Sequence, residues 1–348
     1  MGSLMSAQRL QEIVDRFSAL RIAVLGDFFL DKYLDIDPAL EEISVETGKP
    51  AHQVASIRCS PGAAGTVVSN LAALGAGTLY AIGFTGEDGE GWELRRGLTA
   101  LGCSTEHLHR ADDRSTPTYM KPRDRNSTGL QGEHSRIDTK NRQSTPTATQ
   151  RALIESVSQL ASQVDAMIIM DQAESRDCGA VTASVREHVA QLALDHPNIV
   201  FFADSRRRIR EYRNVIIKPN EFEAVGNDAP RPGDVVNGTE LQTAATQLSS
   251  TTAAPVFVTR GAKGMSVTQP TWTHIPGVRV DGETDTTGAG DSATAGCVLA
   301  LCGGATCPEA AVIGNLVASI TVQQLATTGT ANPNELPNRL HLWNEQNG

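Results

Sequence analysis

Short apolar runs alternate with longer stretches of helix-like spacing along most of this chain. Ile22–Leu25, Thr78–Phe84, Ala166–Met170, Ile199–Ala203, Val215–Ile217 and Pro255–Thr259 read as strands. Several are continuous apolar runs, the pattern of parallel strands buried on both faces. Between them, Gly65–Leu74, Trp92–Leu101, Gln150–Val164, Ala180–Leu194 and Thr239–Ser250 read as helices. Strand–helix alternation of this kind predicts a doubly wound α/β fold. Ligands in such sheets bind beyond the carboxyl ends of the strands. Asp27 and Asp31 follow the first predicted strand, Asp171 and Asp204 end two more, and Asn220 follows another.

Two segments, 36–60 and 115–137, do not fit the alternation. They are polar with short strand-like pieces. Loops of that length without structure are uncommon in compact domains, which favours a built element over two surface loops. The polar stretch Asp138–Thr149 reads as a flexible connection back to the main sheet. There is no internal repeat and no low-complexity tract.

The 348 residues suffice for one large domain with a sizeable core, and 1–348 is read as a single unit. Forty acidic against 30 basic residues give a net charge of −10, which argues against a general nucleic-acid binder. Cys59, Cys103, Cys178, Cys297, Cys302 and Cys307 form no CxxC pair and no zinc spacing with His, so free thiols in a reducing compartment are expected. No signal peptide is visible and the longest apolar run is too short for a membrane span, so a cytoplasmic protein is expected. The Met1–Ser6 match to a myristoylation pattern is read as chance or a cloning remnant.

The chemistry concentrates in Asp285-Thr286-Thr287-Gly288-Ala289-Gly290-Asp291, just before the apolar run Ala293–Leu301. A helix starting here presents free backbone N–H groups and the positive end of its dipole. Gly288 and Gly290 let a phosphate approach the backbone. Asp291 then sits in the first turn beside an anion site, where a carboxylate is useful for handling a proton. The string therefore reads as a phosphoryl-transfer site with Asp291 as base, against the plainer alternative of an ordinary helix cap.

This string resembles the C-terminal signature of the ribokinase/PfkB carbohydrate kinases, and five further segments extend the likeness. Gly26-Asp27-Phe28-Phe29-Leu30-Asp31-Lys32-Tyr33 resembles the family's first strand and sugar-binding turn. Pro61–Thr66 resembles its glycine-rich sugar loop, and Gly83–Gly89 its GxxGxD segment. Lys218-Pro219-Asn220-Glu221-Phe222-Glu223 resembles the NxxE motif, and Thr259-Arg260-Gly261-Ala262-Lys263-Gly264 the nucleotide-side TxGxxG turn. Within the family, GDxxLDxY, Lys121 and Arg123, Arg136-Ile137-Asp138 and KPNxxE are most similar to heptose-7-phosphate kinases. Two departures stand out: Gly62-Ala63-Ala64-Gly65-Thr66 replaces GGAAN, and Asp204-Ser205-Arg206 replaces Asp-Pro-Lys.

The resemblance implies a ribokinase-like, mostly parallel sheet with helices on both faces, and a small β lid from 36–60 and 115–137 that often pairs with a partner subunit, here a homodimer. It implies ATP and Mg²⁺ as cofactors, with K⁺ held at Asp285 and Thr287 as in some members. Catalysis falls to Asp291 as base and to the amides of Gly288, Ala289 and Gly290. The acceptor, a small sugar or sugar phosphate, falls to Asp27, Asp31, Gly62 and Thr66, with Lys121, Arg123 and Arg136 meeting a phosphate already present. Gly62 has the plainer role of permitting a turn. ATP falls to Asn220, Glu223, Thr259, Gly261, Gly264 and, on the last helix, Asn315, with Mg²⁺ reached through water at Asn220 and Glu223. Glu223 has an alternative as a first-turn carboxylate satisfying the helix dipole. No Walker A string GxxxxGK[ST] exists to do this job.

Arg206, Arg207, Arg208, Arg210 and Arg213 form a basic cluster that reads either as a solvated face or, for Arg206, as part of the site. A heptose-7-phosphate-type kinase leads. Fructokinase, ribokinase and keto-deoxy-gluconate types follow, and a sugar-phosphate sensor without turnover is the reading from another class. A dinucleotide-dependent oxidoreductase fails, because no GxGxxG follows the first strand. Heptose-7-phosphate kinases often carry a fused nucleotidyltransferase domain; the end at Gly348 predicts the kinase domain alone.

Overall fold

The structure is a computed structural model that describes residues 4–127, 132–325 and 327–347. Residues 128–131 of the second expected lid segment and Met1–Ser3 of the myristoylation pattern lie outside the described residues. The central sheet has seven strands. Arg21–Gly26 lies between Ala166–Asp171 and Thr78–Thr85, in parallel register with Ile22 opposite both Ala166 and Leu79. Val200–Ser205 and Ile216–Ile217 extend one side, and Cys103–Ser104 and Leu108–Arg110 both pair with Thr78–Thr85, all in parallel. Side chains alternate faces along a strand, and here both faces are covered. Ile22 and Val24 join a core with helices Ala64–Ala73, Ala289–Cys302 and Cys307–Thr321. Ala23 and Leu25 join a second core with helices Thr147–Ala161, Ala183–Asp195 and Gly238–Thr252. All four strand residues are fully buried. The doubly wound reading therefore holds.

Phe257–Thr259, within the expected strand Pro255–Thr259, belongs instead to a three-stranded antiparallel sheet with Met265–Val267 and Thr273–Ile275. Isolated bridges at Ile217/Val256 and Asn220/Thr259 join it to the edge of the central sheet.

The lid is a separate four-stranded sheet, ordered Ile137–Thr139, Thr118–Asp124, Phe28–Ile36, Val54–Ala63. Its innermost strand begins at Phe28, eight residues before the expected boundary at 36, and Asp31 lies on that strand rather than in a turn. The reason is strand alternation. Phe28 and Leu30 bury into the core, while Phe29, Asp31 and Tyr33 share the opposite face. Phe29 meets Tyr119 edge-on at 5.1 Å between ring centres. The expected flexible stretch Asp138–Thr149 is also pinned. Ile137–Thr139 pairs with Thr118–Met120, Asn141 exchanges two hydrogen bonds with Ser115, and a helix begins at Thr147. These ties join residues about 20 positions or more apart in the chain, which periodicity cannot register.

Candidate active site

The helix Ala289–Cys302 begins without a side-chain cap. Gly288 precedes it at φ +77°, a left-handed conformation that favours glycine. A methyl group there would also lie 3.0 Å from Thr328 Cγ2 and 3.4 Å from Thr66 Cγ2. One oxygen of Asp285 is used locally: its Oδ1 accepts the Thr287 N–H at 2.9 Å. Ala289 N–H donates to Thr286 O at 3.2 Å, and no side chain caps the other amides of this first turn, an arrangement that suits an anion.

Asp291 stands in this first turn. Burial, followed by the charge of Asp204, pushes its pKa up to about 7. Lys218 and Arg206 pull the other way. Lys218 is buried, with Nζ 2.7 Å from Asp204 Oδ2 and about one contact distance, 3.5 Å, from where a side chain on Gly290 would begin. Burial works against its ammonium, but Asp204 more than offsets this and holds the pKa above the ordinary Lys value. The glycine cradle, the uncapped amides and this ammonium fit a phosphate group. Sequence reasoning gave Lys218 no role. Its place in Lys218-Pro219-Asn220 was the available signal.

A cavity of about 200 Å³ opens onto Asp291 and Gly288, and Asp31, Thr66, Lys121 and Arg136 line it. Phe29, Ala63, Tyr119, Gln172, Arg206, Thr287 and Thr328 complete the wall. Lys121 Nζ lies 3.0 Å from Asp31 Oδ1 and donates to Tyr33 Oη at 3.2 Å. Burial lowers its pKa, but Asp31 and Tyr33 outweigh this and hold it above the ordinary value. Gly62 packs against Asp31, since a Cβ there would meet Oδ2 at 2.7 Å. Arg136 pairs with Asp138 at 2.6 Å and lies over the Tyr119 ring, 4.0 Å from its centre. A second space of about 340 Å³ shares Lys121, Arg136 and Thr287, and adds Tyr33, Glu133, Asp138, Asp285 and Thr327.

Three residues expected on the acceptor side line neither space: Asp27, Arg123 and Gly62, the last of which packs against Asp31. Asp27 lies outside both spaces, against a much smaller one of about 40 Å³. Its Oδ2 accepts from Gln172 and Ala173 N–H, and its Oδ1 from Ala180 N–H, at 2.7–2.8 Å. Burial, followed by Asp171, pushes its pKa up to about 6. It anchors the loop after Ala166–Asp171. Arg123 also lines neither space. Two residues beyond Lys121 on one strand, it shares that face but stands roughly 7 Å further along, and donates to Ser127 O at 2.8 Å.

The nucleotide-side residues gather at the sheet edge. Asn220 Oδ1 accepts from Phe222 and Glu223 N–H, and Glu223 Oε2 accepts the Asn220 N–H, in a reciprocal cap. Glu223 Oε1 stays outside that cap, and burial pushes its carboxyl up to about 7. Among the described residues no cluster of three His, Cys, Asp or Glu side chains forms a metal cage. Water-mediated Mg²⁺ at Glu223 fits that donor set. Thr259 bridges Asn220. Gly261 (φ +55°) and Gly264 (φ +94°) shape the following turn, and a Cβ on Gly264 would strike Ile275 O at 2.3 Å. Asn315 is on the penultimate helix, not the last, because Leu336–Asn347 follows. Its Nδ2 donates to Ile275 O and Pro276 O, so this amide holds the same turn.

A family model described as pfkB family carbohydrate kinase matches residues 22–335. The chain belongs to this family. As a member of this family it is a carbohydrate kinase. It is 31% identical over 323 residues to the bifunctional protein HldE of Shewanella amazonensis, covering 90% of this chain and 62% of that one. It is likewise 31% identical to the HldE of Pseudomonas aeruginosa, covering 91% and 63%. The chain thus spans less than two thirds of the length of these curated relatives. Among solved structures, phosphofructokinase-2 from Escherichia coli in complex with fructose-6-phosphate superposes with a TM-score of 0.68 at 18% identity, covering 93% of this chain and 99% of that one. Arabidopsis thaliana ribokinase complexed with ribose and ATP superposes at 0.64 and 16%, covering 93% and 98%. At these identities the superpositions show the shared fold.

The arginine cluster of this PfkB kinase divides. Arg206 lines the cavity. Arg208 is buried against Asp171, with Nε 3.0 Å from Oδ2. Arg207, Arg210 and Arg213 donate to the carbonyls of Asp228, Ala224 and Tyr212. A solvated face therefore describes only part of it.

Proposed function

We propose that this kinase transfers the γ-phosphoryl group of ATP to a hydroxyl of a heptose 7-phosphate-type sugar phosphate. The observation that carries the reading is the joining of Asp291, Gly288, Lys121, Arg136 and Arg206 around one cavity. An alcohol is too weak an acid to lose its proton freely at neutral pH; Asp291 accepts it as the new bond forms. The amides of Gly288, Ala289 and Gly290, with Lys218, stabilise charge on the transferring group. When bound, Mg²⁺ neutralises charge on the nucleotide phosphates, with Glu223 and Asn220 placed to hold its waters. K⁺ at Asp285 and Thr287 is part of the proposal.

The motif likeness to heptose-7-phosphate kinases and the second space beside Lys121 and Arg136 support an acceptor that already carries a phosphate. The pairing of Lys121 with Asp31 and of Arg136 with Asp138 favours the second reading, a fructokinase-, ribokinase- or keto-deoxy-gluconate-type kinase on a free sugar. We also propose a homodimer through the lid, where Leu40, Ile43, Val45, Val54, Ile57 and Ile137 are all exposed. Six free thiols and the absence, among the described residues, of a helix long and apolar enough to cross a membrane support a cytoplasmic setting.

The test is coupled ADP release with Mg·ATP, with and without K⁺, across sugars, sugar acids and sugar phosphates. Turnover of heptose 7-phosphate supports the leading reading. Turnover of free sugars alone moves the substrate to the second. ATP binding without turnover of any acceptor returns the sensor.

A further inference from the structure

Thr328 is a polar residue on the wall of the reaction cavity to which the sequence assigned no role of its own. Its Oγ1 is shielded from bulk water and, among the described residues, has no hydrogen-bond partner. A hydroxyl both donates and accepts, and leaving it unpaired away from water is unfavourable unless a ligand completes it. Its position is held firmly. The fully buried Asn70, on helix Ala64–Ala73, donates through Nδ2 to Thr66 O at 3.0 Å and to Gly329 O at 3.4 Å. That one amide ties the turn bearing Thr328 to the helix bearing Thr66. The two threonine methyls consequently converge on Gly288, 3.0 and 3.4 Å from where its Cβ would be. Both residues line the cavity that also holds Asp291, Asp31 and Lys121.

We propose that Thr328, held in place by Asn70, contacts the acceptor substrate and forms with Thr66 a hydroxyl pair that sets acceptor specificity. The pair meets an acceptor hydroxyl at the reacting end of the sugar, across Gly288 from the phosphoryl site. The cavity assigns it to the acceptor rather than to ATP, because Asn220, Glu223, Thr259 and Gly264 do not line it. It also gives physical content to Thr66, which stands where heptose-7-phosphate kinases have Asn. Two short hydroxyls from opposite walls replace one longer amide from a single wall. The inference rests on the reading of this cavity as the acceptor site of the kinase.

The test compares wild type, Thr328→Val, Thr328→Ser, Thr66→Val and Thr66→Val/Thr328→Val by ADP release with Mg·ATP and heptose 7-phosphate, with thermal melting of each protein. Valine keeps the branched shape and the methyl over Gly288 but removes the hydroxyl. Thr328→Val should lower kcat/KM for the acceptor roughly 3- to 10-fold, the range of one neutral hydrogen bond. The KM for ATP should stay unchanged. The melting temperature should hold or rise, because an unpaired hydroxyl has been removed. Thr328→Ser should restore kcat/KM, and the double variant should lose less than the product of the single losses if both threonines meet one hydroxyl.

Unchanged kcat/KM in Thr328→Val overturns the proposal. So does a loss expressed in the ATP KM, or a loss that tracks a fall in melting temperature and is not rescued by serine. Failure of the kinase reading shows separately, in the wild type. If wild type ignores heptose 7-phosphate, the same comparison is read on whichever of fructose 6-phosphate, fructose or ribose it phosphorylates. Wild type inactive on all four overturns the cavity reading and this proposal together.

Discussion

The start of helix Ala289–Cys302 and the lid sheet meet at one cavity but are built by opposite means. The helix start is local: Gly288, Ala289, Gly290 and Asp291 follow one another, and the backbone that carries them also orients them. The lid is nonlocal: Asp31 pairs along its strand with Ser60 on one side and Tyr119 on the other, and Lys121 reaches Asp31 only through that pairing. A local motif keeps its chemistry wherever its helix starts. A paired sheet delivers its charges only when every strand is in register. The helix start should therefore carry the rate, and the lid the choice of acceptor.

Asp291→Asn is the strongest way to break that division. It should lower kcat by about 10²–10⁴-fold while ligand binding, read by calorimetry, survives. Retained turnover would remove the base from this helix. Gly288→Ala comes next: it forces a Cβ into a left-handed position between Thr66 and Thr328 and displaces the amides. A loss on the order of 10² in kcat is expected, the scale of one lost oxyanion donor.

On the lid, Lys121→Ala should raise KM for a phosphorylated acceptor roughly 10- to 100-fold, as loss of a charged hydrogen bond does. Its kcat should change far less. A dominant loss in kcat instead would show that the lid also shapes the transition state. The pH profile sharpens the helix side. Asp291 must be ionised to act, so kcat should fall below its pKa of about 7. Asp204 raises that pKa, so Asp204→Asn should move the acidic limb to lower pH, seen in kcat profiles from pH 5 to 8.

The smallest effect concerns Ala63, at φ +54° and ψ −115° where the lid strand enters helix Ala64–Ala73. This residue stands at the second Gly of the family loop and adopts a conformation that glycine tolerates. Relief of strain exceeds the entropy added to the unfolded chain, so Ala63→Gly should stabilise the protein by about 1 kcal/mol in denaturant melts. An unchanged or lower midpoint would show that the methyl group packs productively.

The same division governs what could be read in advance. The anion site was legible because its parts are consecutive and each glycine has a backbone reason. Asp31, Thr66, Lys121 and Arg136 were placed through likeness to known motifs, and the structure brings them to one cavity. Asp27 misled: a carboxylate just after a strand looks the same in sequence whether it faces a sugar or three backbone amides. Lys218 and Thr328 escaped notice because their partners, Asp204 and Gly288, are 14 and 40 residues away in the chain.

By itself the sequence determined the alternation of buried strands and helices, because burial on two faces leaves continuous apolar runs. It also determined the glycine-bearing helix start with its carboxylate. Tertiary structure alone decided that Phe28–Ile36 leaves the central sheet to become the lid's inner strand, and that Asp27 turns inward while Asp31 faces the cavity. It also decided that Asn70 draws two distant threonines together over Gly288. The physical reason is the range of the forces involved. Backbone conformation and burial periodicity act over a few residues, whereas hydrogen bonds and ion pairs form wherever the folded chain places their partners.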